Sequence, residues 1–346
     1  MSIQKGILIM VLFLYLVTGL SFTVNIPVSS TTDAAARQYT SELAGAITDD
    51  TFRQIDEIQT ELDNTLAAHE QALLQYESGE LEYPQYDVYA REAEAARIKS
   101  NGLSVVRQRV EELRSQGEEK GFTPWLIEES PYKGSYGNEA SANQQSAALV
   151  AMLTVVLLLA GSFAYETQSG MNYPLASTQR GRKALLRRKL GMAAVLTTVI
   201  WAVTYGLEFH AFLDICDTGT FAASVQDLSM LESFPIQCSL GVFLVGLYLF
   251  RWLALFTCAM LTMMVSSFMK RLETAYIGTC GAILLPSVLY LYLGLEPLKY
   301  LSLALLVEAT LIIPNMQSFV IIYVVLGIVV AILGFAILTL HKKMRA

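Results

Sequence analysis

Histidine and cysteine are scarce in this chain, with three His and four Cys in 346 residues. His69, His210 and His341 lie far apart, and Cys216, Cys238, Cys258 and Cys280 have no metal-ligand spacing, so a metal site is not expected. No G-x-x-x-x-G-K-[ST] segment occurs, which excludes a P-loop cradle for nucleotide phosphates. H-E-x-x-H, G-x-S-x-G and a Cys–His constellation are also missing. No basic–aromatic patch points to nucleic acid. The chain is therefore not expected to be an enzyme or to bind a cofactor itself. Any work it does must draw on a partner or a gradient.

What is present is apolar surface. Hydrophobic residues make up 53% of the sequence and the mean hydropathy is +0.44, values of a membrane protein. The formal charge of −7 hides two parts of opposite sign. Val24 to Ser146 holds 22 acidic and 10 basic residues, whereas the remainder holds 9 acidic and 14 basic. The chain thus reads as an acidic polar domain inserted into a basic-flanked membrane body.

The spans follow from the apolar runs and take their direction from Lys and Arg, which stay on the cytoplasmic side of short loops. Residues 1–24 hold Lys5 and the run Ile7–Val24, long enough to cross a bilayer core. No small-x-small cleavage site follows closely, so this segment reads as an anchor with its N-terminus inside. Ser146–Tyr165 is span two and Leu190–Leu207 is span three. Glu208–Cys238 lies outside, carrying Asp214, Asp217, Asp227 and Glu232 and neither Lys nor Arg. Within it Leu228–Phe234 is expected to form a short interfacial helix, ended by Pro235. Leu240–Phe268 is span four, with a tilted or broken outer half because its length exceeds an upright crossing. Ala275–Leu293 is span five, kinked at Pro286. The segment 295–318, interrupted by Pro297 and Pro314, suits two re-entrant half-crossings. Phe319–Leu340 is span six, and Lys342, Lys343 and Arg345 place the C-terminus inside.

Residues 25–145 are expected outside the cell as a helical hairpin. One stripe runs through Phe52, Ile55, Ile58, Leu62, Leu66, Leu73 and Tyr76, in helical steps of three and four. A break at Glu77–Pro84 precedes a second stripe through Tyr89, Ala93, Ala96, Leu103, Val106, Val110 and Leu113, with Gly102 as its weak point. The fold class expected is an all-α integral membrane protein. It has six transmembrane helices, this extracellular hairpin (an interaction coiled coil in the scaffold reading below), and re-entrant helices between spans five and six.

The stretch 166–189, ETQSGMNYPLASTQRGRKALLRRK, joins spans two and three with six basic residues and one acidic residue. A helix is expected from about Gln179, with Ser177 or Thr178 as its N-cap. Glu166, Gly170, Leu175, the segment Ser177-Thr178-Gln179-Arg180-Gly181-Arg182, and Lys189 follow a spacing that resembles the first cytoplasmic loop of ABC-type exporter permeases. The resemblance is to the type-two export class, in the Firmicutes form with a large extracellular insert between spans one and two. It implies a coupling loop that docks on a separate ATPase subunit, which binds ATP and Mg for the complex. It further implies a second permease copy or paralogue, in the plasma membrane, and outward movement of a peptide, drug or lipid-like substrate. Glu166, Gly170, Arg180 and Arg182 are the coupling candidates on this basis. Arg187, Arg188 and Lys189 read instead as topology holders that contact lipid headgroups.

Two charges fall at apparent membrane depth, Arg251 and Glu308. Each is costly there unless paired, hydrated or snorkelling, so both are candidates to pair or to line a passage. Cys216 and Cys238 share the outer side, where a disulfide is open to them. Two other readings remain: a membrane sensor or immunity protein whose hairpin binds a ligand, and an envelope scaffold whose hairpin binds a partner.

Overall fold

The computed structural model describes residues 30–137, 141–170, 179–294, 302–308 and 316–343, with backbone alone at several helix ends. The first apolar run and more than half of the segment 295–318 lie outside these residues. The described chain is all-helical apart from one two-stranded ribbon. It divides into a polar unit, 26–131 with 217–241, and an apolar unit comprising 132–216 and 242–346 together with the first 25 residues.

In the polar unit, α1 spans Thr31–Glu42 and starts at Ser30, whose hydroxyl accepts from Asp33 N at 3.1 Å. Strand β1 (Gly45–Ala46) leads into α2 (Asp49–Glu77), which opens on a Thr48/Thr51 capping box. Helix α3, Tyr83–Lys120, begins with Pro84 in its first turn, where no backbone donor is lost. It ends at Gly121, whose φ of +73° reverses the chain at little steric cost. Strand β2 (Trp125–Leu126) then pairs antiparallel with β1.

Helices α2 and α3 run antiparallel: Asp49 meets Arg114, Asp56 meets Arg107, and His69 meets Tyr86. These exposed ion pairs fix register more than they stabilise. Burial carries the energy. Ile55 and Leu62 of α2 pack with Ala96, Leu103, Val106, Val110 and Leu113 of α3, joined by Tyr39, Leu43, Ile47 and Leu126. Helix α1 is a third member that the two stripes did not reveal. It crosses α3 at Gly102, where an added Cβ would come within 2.8 Å of Ala35 Cβ and of Ala36 N. The glycine expected to weaken α3 is a point of close helix contact.

The segment 217–241 completes this unit. It forms three short 3₁₀ turns, Thr218–Ala222, Val225–Asp227 and Ser229–Leu231, in place of the expected interfacial helix. Arg109 donates to Asp227 O at 2.9 Å and to Glu129 Oε1 at 3.0 Å, while Glu129 accepts from Ser229 N at 2.8 Å. Gln116 donates to Glu232 and Gln237 donates to Lys120 O. Serine, glycine and acidic residues that compete with helical hydrogen bonds favour such turns. The linker between two long apolar helices is thus built into the polar core, with Ala223, Val225, Leu228 and Leu231 buried.

In the apolar unit, α4 (Ser130–Tyr136, its first two residues in the polar unit) precedes α5 (Ser141–Leu159) and α6 (Gly161–Gln168). These are followed by α7 (Gln179–Leu213), α8 (Leu240–Phe268), α9 (Leu272–Leu293), α10 (Leu303–Glu308) and α11 (Met316–Lys343). Four described helical stretches are long and apolar enough to cross a membrane: Gln144–Gln168, Ala184–Leu213, Leu240–Phe268 and Leu272–Tyr290. Exposed Val242, Val245, Ile277 and Ile328 present the apolar surface expected against lipid.

Helix α8 is unbroken over 29 residues. Its first amide, Leu240 N, donates to Ala223 O within the polar unit, so part of its excess length belongs there. The break falls in span two instead, at Ala160 between α5 and α6. Ser266 of α8 repairs it, donating to Ala160 O at 2.6 Å and accepting from Phe163 N and Ala164 N. Pro286 lies inside α9. Cys216 and Cys238 form no disulfide, and Cys216 Sγ donates to Tyr132 OH at 3.4 Å.

Candidate functional site

The base of the 166–189 segment is a closed ionic clasp. Glu166 sits on α6 and Lys189 near the start of the apolar part of α7; Lys189 Nζ lies 2.6 Å from Glu166 Oε2. The ammonium also donates to Ser162 O and lies 4.1 Å from the Phe163 ring centroid. Lys189 is buried, so it is not the headgroup-facing lysine expected from sequence. Its neighbours Arg187 and Arg188 are exposed. A buried ammonium needs compensation by a carboxylate, a carbonyl or an aromatic face, and this one has all three.

Gly170 follows α6 with φ +71°, a left-handed conformation that turns the chain out of the helix. Gln168 Oε1 accepts from Leu272 N at 3.2 Å and so satisfies an N-terminal donor of α9. Leu175, Ser177 and Thr178 lie outside the described residues, as do the side chains of Arg180 and Arg182. The backbone at Arg180 and Arg182 is helical, in the first turns of α7. That helix runs without interruption from Gln179 to Leu213, so the basic segment and the third span form one rod.

At the other end of α7 lies a second charged site. Arg251 Nη1 donates to Glu208 Oε1 at 2.7 Å, with both side chains almost wholly buried. Three tyrosines surround the guanidinium: Tyr205, Tyr248 and Tyr136, with ring centroids 4.9, 5.5 and 6.0 Å from Cζ. The tyrosines are themselves tied, Tyr136 OH to Tyr248 OH at 2.9 Å and Tyr205 OH donating to Val307 O of α10 at 3.4 Å. Trp201 Nε1 donates to Tyr248 O.

Arg251 therefore takes Glu208 as its carboxylate. The side chain of Glu308, the other expected intramembrane charge, lies outside the described residues; its backbone ends α10. The apolar run stops at Leu207, so the sequence predicts Glu208 just beyond span three. Helix α7 instead continues six residues further, to Leu213. The available signal was spacing: Glu208, Phe209 and Phe212 keep the helical period past the end of the purely apolar run.

Among the described residues no group of His, Cys, Asp and Glu is arranged to hold a metal ion. No protein-family model, no curated protein and no solved structure matches the chain.

Proposed function

We propose that this chain is the membrane-spanning permease subunit of an ATP-driven ABC exporter, moving a peptide, drug or lipid-like substrate outward while a separate ATPase subunit hydrolyses ATP. The observation that supports this most is the Glu166–Lys189 clasp. It joins the first and last residues of the segment that resembles a coupling loop. A loop that transmits a partner's movement must be stiff at its base, and a buried ion pair supplies that stiffness. The continuous α7 rod adds a lever: a push on the turn holding Arg180 and Arg182 travels along the helix to the Arg251–Glu208 site. Cations in that turn would suit an acidic partner surface and would chiefly set encounter rate and orientation.

In this reading the protein lies in the plasma membrane with six crossings and both termini cytoplasmic. The polar unit is extracellular, the 295–318 segment is re-entrant, and a second permease copy or paralogue completes the passage.

The test is co-purification from native membranes in mild detergent, comparing wild type with Arg180→Glu/Arg182→Glu. A P-loop ATPase is expected with wild type and is lost with the variant. Recovery with both retains the permease class and moves the docking surface elsewhere. If a folded, intact complex yields no ATPase, the sensor, immunity or scaffold readings take its place. Lys189→Met should keep the ATPase bound while substrate no longer stimulates its turnover, because the clasp acts in transmission and not in docking.

A further inference from the structure

We infer that the free end of the α2–α3 pair, from His69 to Glu92, is a docking surface for a cationic amphipathic peptide segment. This assignment stands on the polar unit alone and does not depend on the permease reading.

The three-helix packing described above stops short of this end. The last core members toward it are Leu62 on α2 and Ala96 on α3, and α1 contacts α3 at Gly102. Two helices bury only a narrow seam between them, here Ala72 and Ala93, and leave their other faces uncovered. On most such surfaces the uncovered faces are polar. Here Leu74, Tyr83 and Val88 are each more than half exposed, and Tyr76 and Tyr89 each about 39% exposed. Leu74 and Val88 stand singly, whereas Tyr76, Tyr83 and Tyr86 touch one another and form a contiguous aromatic surface of the kind that marks an interaction site.

The tyrosines are ordered among themselves. Tyr76 stacks on Tyr86 with centroids 4.9 Å apart and planes 14° apart, and Tyr83 meets Tyr76 edge-on at 6.2 Å. His69 Nε2 lies 3.3 Å from Tyr86 OH, which holds that ring from the α2 side. Rigid tyrosine clusters give contact area at low entropic cost and present electron-rich faces to cations.

Charge selects the occupant. Glu70, Glu77, Glu80, Glu82, Asp87 and Glu92 lie in this stretch against a single basic residue, Arg91, which is paired with Asp87 at 2.6 Å. Such a surface repels a second copy of itself and an anionic lipid surface alike. It attracts a segment whose lysines or arginines lie over the tyrosine faces, near Glu77 and Glu80, while its apolar residues pack against the exposed Tyr83 ring. An amphipathic peptide with a cationic face has both properties.

The experiment uses the full-length chain in nanodiscs of zwitterionic lipid, with empty nanodiscs as blank. The probe is a fluorescent amphipathic peptide of lysine and leucine, and its counterpart with glutamate in place of lysine is the control. Wild type is expected to bind the lysine peptide and not the glutamate peptide, with affinity falling as salt rises. Tyr76→Ala/Tyr83→Ala and, separately, Glu77→Gln/Glu80→Gln are each expected to weaken binding by about tenfold. All four positions are exposed, so the fold should survive, and unchanged thermal unfolding verifies it. Equal binding by wild type and both variants, or binding of the glutamate peptide, overturns the assignment. So does a self-associated wild type that the tyrosine variant converts to single copies, since the surface would then serve a second copy. Absence of any binding to wild type overturns it as well, and leaves the ATPase co-purification unaffected.

Discussion

Arg251 and Glu208 form an ion pair 2.7 Å long that joins α8 to α7 with both side chains almost wholly buried. Charges removed from water cost several kcal/mol each, and the pair recovers this only while both members remain. The enclosing tyrosines add cation–π attraction and hydroxyls tied to one another, so the site is fixed from several helices at once.

Breaking the pair from either side should therefore cost far more than removing it whole. Arg251→Met or Glu208→Met alone is expected to destabilise the protein by about 3–5 kcal/mol. The double variant should recover most of that loss. Thermal unfolding of the purified protein in one detergent measures all three. A double variant as unstable as the sum of the singles would mean the two charges act independently.

The α1–α3 contact gives a steric prediction. Gly102→Ala gains helix propensity but drives a methyl into Ala35 and the backbone of Ala36, so a net loss of about 1–3 kcal/mol is expected. Ala35→Gly should restore part of it, because one of the two clashing groups is removed. Limited proteolysis of the polar unit reports the outcome. If Gly102→Ala proves as resistant as wild type, α1 does not pack here.

Asp227 supplies a pH prediction. Burial pushes its carboxyl up to about 7, against the pull of hydrogen bonds from Trp125 and Ser224 and of the Arg109 charge. In the unfolded chain the group titrates near 4. Between those values the folded state holds a proton that the unfolded state has released. Its contribution is therefore fully present below about pH 4 and is lost as pH rises through about 7. The total difference is about 4 kcal/mol at most. Asp227→Asn keeps an acceptor for Ser224 N and abolishes the titration. Relative to wild type, the variant should gain stability at about pH 8 and little at about pH 5. Equal pH profiles for the two proteins would rule out Asp227 as the source.

Where the chain declares itself, periodicity is the reason. Ile55, Leu62, Ala96, Leu103 and Val110 recur at helical steps and occupy the buried seam they imply. The ends of α2 and α3 lie at the Gly79–Pro84 break because positive φ and a missing donor stop helices locally. Local rules fail for α1, whose sequence TTDAAARQYTSE is too polar and too short to carry a stripe. They fail again for 217–241, whose partners Arg109, Gln116 and Glu129 lie about a hundred residues away in the chain. The same distance hides the candidate site. Arg251 stood out as a charge in an apolar run, but Glu208 did not, and Lys189 looked like one more surface cation.

The sequence alone determined that this is a helical protein with apolar stretches fit for a bilayer and an acidic polar insert. Hydropathy and charge are sums over neighbouring residues and need no fold to evaluate. Only the tertiary structure decided which charges meet: Glu166 with Lys189, Arg251 with Glu208, Arg109 with Glu129. A pairing depends on the helix phase at each residue and on which helices become neighbours. Those quantities are set by packing across the whole chain, and no window of local sequence contains them.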